Sequence, residues 1–309
     1  MLNLDPDPPS CENPLVLGTI GLFLRSLDND YQRQLEEVGR RVARQHEIDI
    51  FVELAQFDAG RQVAQIREAI RNASTTKLAA ILVSGVHDED LRPVAHEAAA
   101  AGLDWALLNE GAFIDDVRSQ HPDRAIFVVT CDQLEIGRIH AQQVRALLGS
   151  AGRVICVTGN VRNASACQRL EGLKQGLNGS FDLIELNADW TSECARMAVA
   201  RWASETTDLP GMFVAQNDEM ALGVRQALRD LASQRGFPSA SVPITGCDGS
   251  QTFGQRLVRE GRLKATVITP AGSGVAIEKI VGARASGKIP PVRVLLPATS
   301  FPALPRLKQ

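Results

Sequence analysis

The side chains best able to do chemistry in this sequence sit in short polar segments, each following an apolar run. After the first run comes Ser26-Leu27-Asp28-Asn29-Asp30-Tyr31, after the fourth Asn109-Glu110, and after the fifth Thr130-Cys131-Asp132. Later come Gly159-Asn160-Val161-Arg162-Asn163, Ala188-Asp189-Trp190, Gln216-Asn217-Asp218 and Gly246-Cys247-Asp248-Gly249. Amides and carboxylates hydrogen-bond hydroxyl-rich molecules, and a flat ring covers the C–H face of such a molecule. The chain has 1 tyrosine and 3 tryptophans, so Tyr31 and Trp190, both in these segments, are the rings that count for such a site. Trp105 and Trp202 fall on a strand and a helix and read as packing. Any single Asn or Asp could equally cap a helix or open a turn; their concentration in one kind of loop carries the reading.

Other chemistries lack their parts. Catalysis would need a nucleophile with its base, a metal constellation or a phosphate-cradling loop. GxSxG and GxxxxGK[ST] are absent, and Gly18 and Gly21 lie inside the first apolar run instead of forming GxGxxG after it. His46, His87, His96, His121 and His140 fall in helical stretches or surface turns and read as solvated or locally satisfied rings. Cys11, Cys131, Cys156, Cys167, Cys194 and Cys247 are scattered without a CxxC or Cys/His cluster, so separate thiols are expected, with no cofactor and no metal. The 33 basic against 36 acidic side chains leave a net charge of −3, which provides no general basic field for nucleic acid.

These loops need elements to hold them. From about Leu15, short apolar runs alternate with amphipathic stretches, the pattern of parallel strands joined by crossover helices, so the fold class is α/β. Expected strands are 15–23, 48–54, 78–83, 105–108, 125–129, 154–157, 183–186, 212–214, 242–245, 265–268 and 292–296, with helices over 31–45, 60–72, 132–148, 166–177, 191–203 and 218–234. At 309 residues two domains are expected, and the polar segment Ala112–Arg124 reads as the passage between them. No apolar window of about 18 residues predicts a membrane span. The opening MLNLDPDPPSCENP has neither the basic nor the apolar region of a signal peptide, so the expectation is a cytoplasmic chain or one whose leader lies upstream. In open α/β sheets a ligand sits beyond the carboxyl ends of the strands, where the polar loops fall.

The run Val214-Ala215-Gln216-Asn217-Asp218-Glu219-Met220-Ala221-Leu222-Gly223, followed by Ile244-Thr245-Gly246-Cys247-Asp248-Gly249, resembles the type I periplasmic sugar-binding proteins, the ribose-binding kind most of all. Leu27-Asp28-Asn29, Asp132 with Gly137, Arg169-Leu170-Glu171-Gly172-Leu173 and Leu263-Lys264-Ala265-Thr266-Val267 extend the resemblance over residues 14–300. It implies two Rossmann-like lobes with parallel sheets joined by three hinge strands, residues 1–130 with 270–292 in the N-terminal lobe and 131–269 with 293–309 in the C-terminal one. The family's ligand positions map onto Asn29, Tyr31, Asn217, Trp190 and Asp248 with their chemistry kept. Four depart from the family pattern: Asn109 with Glu110 replaces an aspartate and arginine, Cys131 a serine, Cys247 a ring, and Cys167 an arginine two positions before Arg169. Thr269 stands near the glutamine of the last hinge. Thiols at 131, 167 and 247 raise a soft-metal reading, for which their spacing is loose.

The resemblance implies a monomeric protein without catalysis that captures a small sugar or polyol and presents it to the membrane permease of an ABC-type transporter, in the periplasm. The same module forms the effector-binding core of LacI-type repressors, so the alternative is a cytoplasmic ligand sensor. About 14 residues precede the first expected strand, too few for a helix-turn-helix, so nucleic acid is not an expected partner.

Overall fold

The apolar runs become the strands of two parallel sheets in a computed structural model that describes residues 18–108, 111–206, 210–235 and 242–307. The strands are β1 (Thr19–Leu24), β2 (Ile50–Leu54), β3 (Leu78–Val83), β4 (Asp104–Leu107), β5 (Ile126–Cys131), β6 (Arg153–Thr158), β7 (Asp182–Asn187), β8 (Met212–Ala215), β9 (Ile244–Asp248), β10 (Ala265–Ile268), β11 (Arg293–Leu296) and β12 (Thr299–Phe301). They form a first sheet of order β11-β5-β4-β3-β1-β2 and a second of order β12-β10-β9-β8-β6-β7. All pairings are parallel except β10 with β12.

Helices cover both faces of each sheet, which is why the central strands read as unbroken Val, Ile and Leu. In β1, Ile20, Leu22 and Leu24 pack into one layer and Phe23 into the other, all fully buried. Each such side chain contributes about 1.5–3 kcal/mol of transfer free energy. The edge strands β2 and β7 are only partly covered. Helix starts follow the capping residues: Asn29, Asp58, Asp132, Asn163 and Thr191 each accept a backbone N–H of the first turn through the side chain. Among the described residues no helix is long and apolar enough to cross a membrane.

The chain passes between lobes after β5, after β10 and between β11 and β12. The segment 112–124 is not the passage: it holds the helix Ile114–Gln120 between β4 and β5 of one sheet, with Ile114 and Val117 buried. Its acidic residues face outward onto partners, Asp115 to Arg293 and Asp116 to Arg92, so its polarity marks a solvated helix face. Residues 293–309 do not all belong to the C-terminal lobe. Arg293–Leu296 pairs with Val128–Cys131 in the first sheet, and only the next strand, β12, crosses to pair with β10. That strand was absent from the sequence reading because three residues carry no period. The helix Ser273–Ser286 docks on the first lobe through Ser273 Oγ donating to the Leu35 carbonyl at 2.7 Å and Arg284 pairing with Asp104 at 2.8 Å.

Candidate ligand-binding cleft

The carboxyl ends of both sheets face one another across a small cavity of about 40 Å³. From the first lobe Arg25, Asn29 and Tyr31 reach it; from the second come Arg169, Trp190, Asn217 and Asp248; and Cys131, Gln133 and Thr269 line it near the crossings. Seven of the residues singled out in the sequence therefore converge. Asn109 lies outside the described residues, as does Glu110.

Cys167 and Cys247 do not line the cavity. Cys167 is exposed and its thiol donates to the Val161 carbonyl at 3.2 Å. Cys247 is fully buried and packs with Cys131, Ile136, Ile139 and Val267. Burial pushes the Cys131 thiol up to about 11 and Cys247 higher still, so both stay protonated. Among the described residues no group of three or more His, Cys, Asp and Glu could hold a metal ion.

The guanidinium expected to be missing is supplied by Arg169. Two positions along a helix turn a side chain by roughly 200°, so Cys167 faces solvent while Arg169 faces the cleft. Arg169 is 8% exposed. Its Nε donates to Gln133 Oε1 at 2.7 Å, its Nη1 to the Gln216 carbonyl at 2.6 Å, and its guanidinium lies 5.6 Å from the Trp190 ring centre. A side chain held on three sides is preorganised to present its remaining donors to a ligand.

Asp248 is the carboxylate of the cleft. It is buried and adopts φ 96°, a left-handed conformation that costs a non-glycine residue about 1–3 kcal/mol and is typical of binding sites. Burial pushes its carboxyl up to about 8, with Asp30 and Glu219 adding to the rise and Arg169 opposing it. Behind it Asp218, fully buried, accepts Gly249 N–H at 2.8 Å and the Thr266 hydroxyl at 2.8 Å. Burial, then the nearby Asp248, holds the Asp218 carboxyl well above the usual range. A Cβ on Gly246 would overlap this carboxyl, so only glycine fits there.

The remaining groups are tied down unequally. Asn217 Oδ1 accepts Met220 N–H at 2.8 Å and its Nδ2 donates to the Trp190 carbonyl at 3.0 Å, which fixes the ring-bearing loop. Trp190 itself has φ 68°, and its ring lies where a Cβ on Gly159 would be. On the other side Asn29 Oδ1 accepts Gln32 N–H at 3.0 Å, and the Tyr31 hydroxyl reaches the Leu108 carbonyl at 3.5 Å. Across the mouth Arg33 joins the lobes, pairing with Glu219 at 2.9 Å and lying 5.9 Å from the Phe253 ring centre. Arg25, Gln32, Gln133 and Ser165 also line the cavity but were not among the residues singled out. Arg25 follows the first apolar run, so its place just beyond β1 was the available signal; Gln133 and Ser165 sit in first helical turns, where their residue types give no signal of a site.

A closed cleft between two such lobes is the architecture of a binding protein, and a sequence family described as the periplasmic binding protein domain matches residues 20–277. The chain belongs to that family. A putative rhizopine-binding protein of Rhizobium meliloti is 26% identical over 74% of this chain and 69% of its own. A ribose import binding protein of Haemophilus influenzae is 25% identical over 88% of this chain and 89% of its own. Among solved structures, an ABC transporter periplasmic solute binding protein from Actinobacillus succinogenes with bound D-allose superposes with a TM-score of 0.79, at 19% identity, covering 94% of this chain and 99% of that one. In periplasmic binding proteins the two lobes close on a ligand, and here the Arg33–Glu219 pair joins the lobes.

Proposed function

We propose that this periplasmic binding protein closes its lobes on a small sugar or polyol and presents it, in the periplasm, to the membrane permease of an ABC-type import system, with no chemical step. The carrying observation is the convergence of Arg169, Trp190, Asn217 and Asp248 on one cavity: a clamped guanidinium, a ring, an amide and a carboxyl, the set that hydroxyl-rich ligands require. The relatives named for import of ribose and for binding of rhizopine support transport over the sensor reading. Ligand favours the closed form by its differential contacts, and that form is what a permease reads.

A thermal-shift and calorimetric screen against pentoses, hexoses, inositols and xylitol tests the proposal, since a ligand that binds only the native state raises the melting temperature by mass action. One or a few of these are expected to give a shift of several degrees that Asp248→Ala abolishes while circular dichroism stays unchanged. No shift with any of them, or a shift that Asp248→Ala leaves intact, overturns it.

A further inference from the structure

A second cavity, of about 140 Å³, opens directly outside the first, and Arg25 and Trp190 line both. It is larger than the inner space of about 40 Å³. A cavity of about 150 Å³ accommodates a benzene-sized ring, so the outer chamber has room for one ring-sized unit, and the inner one must widen as the lobes part to take another.

Its walls are built from both lobes by matching devices. On the first lobe Gln56 and Phe57 take consecutive left-handed conformations, φ 54° and 62°, and Phe57 N–H donates to the Arg25 carbonyl at 3.0 Å. On the second lobe Asp189 and Trp190 do the same, φ 48° and 68°, and Asn160 Nδ2 braces that turn by donating to Asp189 Oδ1 at 2.7 Å. Such conformations are uncommon for bulky residues. Each pair delivers one aromatic ring to the same chamber. Phe57 is 42% exposed, one of few large apolar side chains left so open, and a ring seated in the chamber would cover it. Arg162 and Asp189 add a donor and an acceptor at the rim, the polarity that suits hydroxyls.

We infer that the ligand carries a second ring-sized unit: a glycoside, such as a disaccharide or a glycosylated cyclitol, whose outer ring lies between Phe57 and Trp190 while its inner ring meets Asp248 and Arg169. This rests on the carbohydrate reading above and deepens it. The test is calorimetry of the full chain with matched pairs: glucose and cellobiose, galactose and lactose, xylose and xylobiose, myo-inositol and galactinol. For the parent that binds, the glycoside is expected to bind at least tenfold tighter, and Phe57→Ala to remove that gain while leaving the parent's affinity unchanged. A glycoside that binds equally or more weakly overturns the inference and leaves the sugar reading standing. A gain that survives Phe57→Ala overturns the placement of the outer ring. Absence of binding by every member of the panel overturns both readings together.

Discussion

The two lobes repeat one strand order and yet present unlike faces to the cleft. The second lobe's face is locked: Asn217 spends both ends of its amide on Met220 and Trp190, Arg169 is clamped by Gln133 and Gln216, and Asp218 braces the Asp248–Gly249 turn. The first lobe's face is looser. Tyr31 makes one long hydrogen bond, and Asn29 is tied only by its cap. Binding sites gain affinity by having groups ordered in advance. The difference is one of preorganisation: the named groups of the second lobe are the more firmly held.

The largest expected effect is on stability. Asp218→Ala leaves Gly249 N–H and the Thr266 hydroxyl buried without partners and should cost about 2–5 kcal/mol in urea unfolding, whereas Asn29→Ala loses a helix cap worth about 1 kcal/mol. Equal costs would break the contrast between the lobes. Next is affinity for whichever ligand the screen identifies. Arg169→Met should weaken binding roughly 10–100-fold, the worth of one charge-assisted hydrogen bond at about 1.5–3 kcal/mol. Tyr31→Phe, which removes only a loosely bonded hydroxyl, should cost less than about fivefold.

The pH dependence sharpens the same contrast. Asp248, with its carboxyl raised to about 8, and Asp218, raised by the same burial, keep protons in the folded protein that the unfolded chain releases above its ordinary carboxylate pKa of 3.8. Through Asp248, stability of the ligand-free protein should therefore fall as pH rises from about 4 to 8, by up to about 1.4 kcal/mol per pH unit, with Asp218 acting in the same direction. Asp248→Asn should flatten that slope in melts between pH 5 and 8, and an unchanged slope would remove Asp248 from the account. His140 acts in the opposite direction. It is buried, and burial, helped by the Arg169 charge, pushes it down to about 3, so stability is lost as pH falls from 6.5 towards 3. The ring is therefore not solvated, as a helical position alone would allow. A similarly small effect belongs to the contact between lobes. Arg33 is 42% exposed, so Arg33→Ala should weaken ligand binding by no more than about 1 kcal/mol, less at high salt.

Much of the fold was legible because burial on two faces writes itself as continuous apolar runs. Leu78–Val83 and Ala265–Ile268 fall where the runs place them, and most other strands differ at their ends by one to three residues. The exceptions have local reasons. β12 is too short to show a period, the helix at 114–120 hides its apolar side behind outward acids, and β11 reads as apolar without revealing which sheet it joins.

Residue type and order alone determined that this chain is α/β, that its polar residues collect beyond strand ends, and that Tyr31, Trp190, Asn217 and Asp248 fall in such loops. Those follow from local periodicity and from the rule that strand ends hold the loops. Tertiary structure decided the rest: that Arg169 and not its neighbour two residues back carries the guanidinium, that Cys247 turns into the core, and that Phe57 and Trp190 line one chamber. Helix rotation, core packing and the meeting of two lobes are long-range geometric facts, and no spacing along the chain encodes them by itself.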